Sequence, residues 1–307
     1  MRWQFLLNRI GYTLLSLLVI VTATFFLMKA APGDPFSEEQ DLPKETMEAL
    51  RSHYGLDDSM AVQYLKYVRS VATWDLGPSL KYKHITVNEF IAQGFPISAT
   101  LGIEALLLAI SAGVTLGTIA ALYRSRWQDV TAMFFAVLGI SVPSFIVASL
   151  LQYSLALKLH LFPVARWGTI WHTLLPAISL AALPTAFIAR LTRTKMIETM
   201  RLDYIKVARM KGLSRRHIVF KHALRNALLP VVTYLGQLTA NIIVGSFVVE
   251  KIFGIPGMGQ VMITAVTNRD YTVIMGMTVF CSIILLVAIL LVDIAYSFID
   301  PRIRCSR

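Results

Sequence analysis

The sequence predicts an all-α membrane protein that crosses the bilayer six times, and its composition and apolar patterning carry this prediction. Hydrophobic residues make up 56% of the 307 residues, charged residues only 15%, and the mean hydropathy is +0.62. Soluble domains usually contain about 25% charged residues. An ordinary water-soluble enzyme is therefore excluded. The net charge of +11 comes from basic residues interleaved with long apolar runs, which fits basic membrane-flanking loops better than nucleic-acid binding.

Six apolar stretches have about the 20 residues that a membrane-spanning helix needs. The first follows Arg2 and Arg9 but is longer than a signal-peptide core, so we expect an uncleaved helix. The fourth is interrupted by Pro176 and Pro184, and its start is expected at residue 174 or near Trp171. The predicted spans are 10–28, 99–122, 130–157, 174–189, 230–249 and 274–298.

The distribution of basic residues predicts the orientation. Most of the 29 Lys and Arg residues lie at the termini, at Arg124 and Arg126, and between Arg190 and Arg225. Loops rich in Lys and Arg stay on the cytoplasmic side. We therefore expect both termini to be cytoplasmic.

The long segment after the first span is predicted to be a small helical domain outside the cytoplasm. Pro43 can open a helix that Gly55 closes, and apolar residues recur at helical spacing from Met60 after an Asp-Asp-Ser cap at 57–59. The predicted units are the first helix (1–31), the external helical cap (32–97), a five-helix core (98–298) that includes a cytoplasmic loop at 190–229, and a cytoplasmic tail (299–307).

The cytoplasmic loop contains a predicted short helix. Tyr204, Val207 and Ala208 share one helical face, and Gly212 lies where a helix would end in the left-handed conformation. A helix with a small residue on its face can pack closely against a partner. The alternative is a solvated basic loop that meets anionic lipid.

This loop resembles the EAA loop of ABC importer permeases, the coupling helix that docks into the ATP-hydrolysing subunit. Ala208, Gly212 and Leu224 match the family pattern, whereas Lys206 and Val207 replace its Glu and first Ala. The resemblance implies that the residues contacting the ATPase are Tyr204, Val207, Ala208, Arg209, Gly212 and Leu224.

Other segments resemble the peptide/nickel branch of these permeases, and most closely the B subunit of oligopeptide permeases. They are Ala-Ala-Pro-Gly-Asp-Pro at 30–35, Phe-Pro-Ile-Ser-Ala at 95–99, the external segment 77–88, and Val-Glu-Lys-Ile-Phe-Gly-Ile-Pro-Gly-Met-Gly-Gln at 249–260. The resemblance runs from Arg9 to the closing Ile-Asp-Pro-Arg-Ile at 299–303.

The resemblance implies a permease subunit, not an enzyme, that takes up oligopeptides across a bacterial cytoplasmic (inner) membrane. A dipeptide or nickel importer is the alternative. Its implied partners are a homologous second permease, two ATPase subunits and an external peptide-binding protein. ATP and Mg would be bound by the ATPases, and no cofactor is expected here, since the sequence contains no Gly-Lys pair and hence no phosphate-binding loop. An ATP-independent carrier is disfavoured because we see neither inverted repeats nor buried ionisable pairs.

Polar residues mark a possible translocation path. Within the fifth predicted span they either line the path or hydrogen-bond between helices, and Glu250 is either a gate residue or simply interfacial. The glycine-rich segment that follows is expected to be a turn at the outer membrane face, and no Cys/His cluster has metal-ligand spacing. The candidate path residues are Thr233, Gln237, Thr239, Asn241 and Glu250, and the turn residues are Gly254, Pro256, Gly257 and Gly259.

Overall fold

The computed structural model describes residues 3–31, 57–82, 84–243 and 245–299, and every regular element in these ranges is helical. The α-helices are α1 Trp3–Ala30, α2 Met60–Ala72, α3 Val87–Leu122, α4 Trp127–Ser141, α5 Ser144–Leu151, α6 Ile170–Thr199, α7 Asp203–Met210, α8 Arg215–His217, α9 Arg225–Ala227, α10 Leu229–Ile243, α11 Phe247–Phe253, α12 Met258–Thr267 and α13 Tyr271–Ile299. Two π-helical segments, Gln152–Lys158 and Ile218–Leu224, follow α5 and α8.

Four of the described helices are long and apolar enough to cross a membrane, and a fifth span is obtained if α4 and the helix after it count as one. The four helices are α1, α3, α6 and α13, which contain the predicted first, second, fourth and sixth spans. Pro176 and Pro184 lie inside an uninterrupted α6. That helix begins at Ile170, close to the predicted start near Trp171.

The third predicted span is broken rather than continuous. The axes of Trp127–Ser141 and Ser144–Lys158 are bent by 106° from each other. Val142, at the break, is extended (φ −98°, ψ 120°). The ring of a proline disfavours a helical conformation in the residue before it, and here that proline is Pro143.

The fifth predicted span is also shorter than expected. It corresponds to α10, which has 15 residues. Gly245 adopts a left-handed φ of +91°, and a separate helix, α11, begins at Phe247. Among the described residues, the prediction of six full spans is therefore met by only four or five.

The close pairing of α3 with α6 organises the bundle. A Cβ atom built on Gly113 would lie 2.7 Å from Cβ of Ile188, and one on Gly117 would lie 2.7 Å from Cβ of Thr192. Real Cβ atoms essentially never come so close. The absence of side chains at these positions thus permits the two backbones to approach.

The segment after the first span is described only in part. The predicted helix from Met60 is present as α2, although the Ser59 side chain makes no capping hydrogen bond. Tyr64 bonds to Thr22 of α1 at 2.8 Å, and its ring packs against Phe25. The predicted helix between residues 43 and 55 lies outside the described residues.

Helix α6 separates two ends of the molecule. Its 30 residues correspond to about 45 Å of helix. Helix α7 follows its last residue, whereas the loop before its first residue contacts α11 through a bond from Arg166 N to Phe253 O. The predicted coupling helix and the glycine-rich turn therefore lie at opposite ends.

Candidate functional site

The first part of the candidate site is α7, an eight-residue helix with two different faces. Gly212 ends the segment with a left-handed φ of +76°, and its amide donates to the Arg209 carbonyl at 3.0 Å. This geometry agrees with a glycine helix stop. An ion pair between Lys206 and Asp203 (2.8 Å) lies on the solvent side, where such a pair contributes little stability.

The inward face of α7 packs against its own chain. Ile205 is fully buried and Ala208 is 6% exposed. Both belong to an apolar cluster whose other buried members are Met196, Ile218, Val219, Ala223 and Ala227. Leu224 packs against the same cluster. Ala208 and Leu224 were expected to contact the ATPase, but the structure directs both toward the chain's own core, because the chain folds back over this face after Gly212.

The outward face of α7 presents an apolar strip to solvent. Val207 is 43% and Met210 78% exposed, and Leu213, just beyond α7, is 37% exposed. Tyr204 and Arg209, also predicted site residues, are exposed. Burying such a strip against another protein would remove apolar surface from water, which favours association.

The orientation of α7 depends on hydrogen bonds that the sequence did not reveal. Asn226 Nδ2 donates to the Tyr204 hydroxyl at 2.7 Å, and that hydroxyl donates to the His222 carbonyl at 3.4 Å. These bonds tie the start of α7 to the segment leading into α10. Helical periodicity could not have identified Asn226, because the pairing crosses a change of chain direction.

An ion pair near the end of α6 was also missed. Arg193 donates to the Asp129 carboxylate through Nε (2.5 Å) and Nη2 (2.8 Å), and the Ser125 amide donates to it at 2.9 Å. The Asp129 side chain is 5% exposed. The bidentate contact holds the α3–α4 turn against α6, the helix that continues into α7. An acidic residue beside an apolar run was the only signal in the sequence.

The second part of the candidate site is a buried carboxyl at the other end of the molecule. Glu250, on α11, has 0% exposure. Its carboxylate accepts bonds from Ser98 Oγ (2.7 Å) and the Gly259 amide (2.8 Å). The Met258 amide donates to Ser98 Oγ at 2.9 Å. Burial raises the pKa of the Glu250 carboxyl, and these hydrogen bonds oppose that rise.

Glu250 was proposed above as a gate or path residue, and it lies inside the chain rather than on an open surface. Of the predicted turn residues, Gly257 and Gly259 lie against the carboxyl. Gly254 ends α11 with φ +59°, Pro256 and Gly257 lie between the two helices, and Gly259 is the second residue of α12. The turn and the carboxyl thus form one packed unit.

The remaining path candidates are not brought together with Glu250 by any described contact. The Thr239 hydroxyl donates to the Leu235 carbonyl at 2.6 Å, a bond within its own helix. The side chains of Thr233, Gln237 and Asn241 lie outside the described residues.

With this geometry established, comparison with known proteins identifies the family. Residues 113–304 match the family described as binding-protein-dependent transport system inner membrane component, and residues 2–101 match its N-terminal counterpart. The chain belongs to this family. It is 48% identical to the dipeptide transport system permease protein DppB of Bacillus subtilis (strain 168), over 99% of both chains.

Oligopeptide permeases are also similar over nearly the whole length. The chain is 42% identical to the oligopeptide transport system permease protein OppB of Salmonella typhimurium, over 98% of this chain and 99% of the relative. It is 41% identical to OppB of Escherichia coli K12 over the same shares.

Solved structures share the fold at low sequence identity. The MetNI methionine ABC transporter aligns with a TM-score of 0.56 at 14% identity, covering 69% of this chain and 96% of that chain. An amino acid ABC transporter aligns with a TM-score of 0.52 at 16% identity, covering 70% and 94%. The all-helical arrangement is therefore that of ABC transporter permeases.

Proposed function

We propose that this chain is the permease subunit of an ABC importer that takes up oligopeptides across the bacterial inner membrane. It works with a homologous second permease, two ATPase subunits and an external peptide-binding protein. ATP and Mg bind to the ATPases, and this chain is a transport component rather than an enzyme. Both termini and α7 face the cytoplasm, and the Glu250 turn faces outward.

The two-faced structure of α7 is the observation that supports this proposal most directly. Its inward face is anchored by Ile205 and Ala208, so a force applied to the helix is transmitted to the ends of α3 and α6 and to α9. Its outward face leaves Val207 and Met210 for an ATPase to cover. Closure of the ATPases would then move α7 and rock the bundle between inward-open and outward-open states.

A substitution at Met210 tests the coupling. Met210 is 78% exposed and is absent from the buried cluster, so replacing it leaves the fold intact. In Met210→Asp, docking buries an unpaired carboxylate against apolar surface, which lowers peptide uptake and ATPase co-purification by at least about tenfold. The matched variant Met210→Leu keeps an apolar side chain and should behave as wild type. Normal uptake by Met210→Asp would refute the role of α7.

A dipeptide is the second candidate cargo, and the 48% identity to a dipeptide permease favours it, against 42% to an oligopeptide permease. Nickel is the other alternative that the resemblance in the sequence leaves open. The assembled complex, reconstituted with its binding protein, distinguishes these cargoes by ATP hydrolysis. Stimulation by binding protein loaded with peptides longer than two residues supports the oligopeptide proposal. Stimulation by the dipeptide-loaded or nickel-loaded form alone would refute the proposed oligopeptide cargo but not the proposed subunit architecture.

A further inference from the structure

Glu250 connects three helices through one buried carboxyl. It belongs to α11, it accepts the Gly259 amide at the start of α12, and it accepts the hydroxyl of Ser98 from α3. Ser98, which is 0% exposed, also accepts the Met258 amide. The Ser98 hydroxyl is thus a bridge between α3 and both sides of the glycine-rich turn.

Three glycines leave space next to the Glu250 carboxyl. A Cβ atom on Gly257 would lie 2.5 Å from both Glu250 Oε2 and Ser98 Oγ, and one on Gly259 would lie 2.8 Å from Oε2. A Cβ on Gly245 would also fall within 3.0 Å of Oε1. Each glycine therefore provides space that the carboxyl fills.

The carboxyl has no ion-pair partner within the described ranges 3–31, 57–82, 84–243 and 245–299. A buried carboxyl without a cation is costly in free energy compared with an apolar side chain of similar size. The hydrogen bonds of the carboxyl go to Ser98 of α3 and Gly259 of α12, not to its own helix α11. A polar contact of this kind releases more readily than an apolar one, because water can solvate each group after separation.

We propose that Glu250 and Ser98 form an outer latch, which closes the outward end of the permease by holding the α11–α12 turn against α3 and opens during each transport cycle. Glu250 is a positioning residue: it acts through the turn and does not bind the cargo. The latch rests on the proposed function, because an outward opening step is meaningful only for a transporter.

The route of opening follows from the contacts. Moving the turn away from α3 breaks the two bonds of Ser98, whereas the bond from the Gly259 amide to Glu250 stays within the turn. The same movement separates apolar packing, since Met258 shares a buried cluster with Val87 and Ile91 of α3. The turn also lies close to the Gly94 backbone, where a Cβ would be 3.1 Å from the Met258 amide nitrogen. The turn therefore separates from α3 as a unit.

The test compares ATP hydrolysis by the reconstituted complex with and without its peptide-loaded binding protein. Ser98→Ala removes the bridge and should raise hydrolysis in the absence of binding protein by about tenfold, the effect of about 1.4 kcal/mol of lost latch free energy. Ser111→Ala is the matched control, since Ser111 lies on the same helix and its hydroxyl donates to the Leu108 carbonyl of that helix. It should leave the rate unchanged.

A purely structural brace gives a different result. Ser98→Ala would then lower basal and stimulated hydrolysis in parallel, or leave both unchanged, and either outcome overturns the latch. If Ser98→Ala does not assemble, Gly257→Ala is measured in the same assay. Its methyl group pushes the Glu250 and Ser98 side chains apart without replacing either residue. Failure of the proposed function gives a different result: peptide-loaded binding protein would not stimulate ATP hydrolysis by the wild-type complex.

Discussion

The close approach of α3 and α6 makes Gly117→Ala a sharp test of the fold. A methyl group at this position would lie 2.7 Å from Cβ of Thr192 and 3.1 Å from the Arg193 amide, and closer still to the Ala189 carbonyl oxygen. Ordinary contacts begin at 3.4 Å. The two helices must therefore move apart by several tenths of an ångström or more along their longest contact.

The expected change in the free energy of unfolding is the balance of two effects. Overpacking a well-packed core costs about 1–3 kcal/mol. Alanine gains back about 0.8–1 kcal/mol over glycine in a helix interior. Because two of the atoms that the methyl group would meet belong to the backbone, the overpacking cost lies in the upper part of its range, about 2–3 kcal/mol. The net destabilisation is then about 1–2 kcal/mol, which lowers the melting temperature by roughly 2–8 °C.

Gly11→Ala provides the control. Gly11 also lies inside a helix, α1, but among the described residues no atom lies within 4 Å of the Cβ that alanine would add. Only the helix-propensity gain of about 0.5–1 kcal/mol remains, so this variant should melt higher than wild type. The assay is thermal unfolding of the detergent-solubilised protein by far-UV circular dichroism. A rise in melting temperature for both variants would refute the close packing of α3 against α6.

Further predictions concern the ion pair, the helix stop and the buried carboxyl. Asp129→Ala leaves Arg193 without its bidentate partner, and because Arg193 is 28% exposed the loss should be about 1–3 kcal/mol, below that of a fully buried pair; a melting curve identical to wild type would contradict it. Gly212→Ala forces a side chain into the left-handed region, where no atom of the described chain lies within 4 Å of the added Cβ. Backbone strain alone should therefore cost about 1–2 kcal/mol in the same melting assay, and Gly212→Asn should cost less. Since burial raises the pKa of the Glu250 carboxyl, the native state holds this proton more tightly than the unfolded state. Stability from this group is therefore greatest below the unfolded pKa of about 4.3 and falls as the pH rises through the raised native pKa. Melting temperatures of Glu250→Gln measured across this pH range should lack that fall, and an unchanged profile would count against the burial.

The candidate sites show which structural features the local sequence pattern predicts and which it does not. Helical spacing after residue 203 and the glycine at 212 predicted α7 correctly, because both are properties of a short stretch of chain. The same spacing placed Ala208 on a partner surface, whereas the structure buries it. Periodicity indicates which residues share a face, but the fold alone decides what covers that face.

The sequence by itself determined the membrane class and the apolar spans within α1, α3 and α13, because a run of about 20 apolar residues has few stable alternatives to a buried helix. Helix α3 also includes residues from Val87 onward that were assigned to the external cap. Only the tertiary structure decided the contacts between distant residues. Ser98 and Glu250 are 152 positions apart, and Asp129 and Arg193 are 64 apart. No local pattern encodes such pairs, since each depends on which helices pack together and at which depth. The physical reason is that hydrophobic burial is non-directional, whereas a hydrogen bond or an ion pair needs the final positions of both partners.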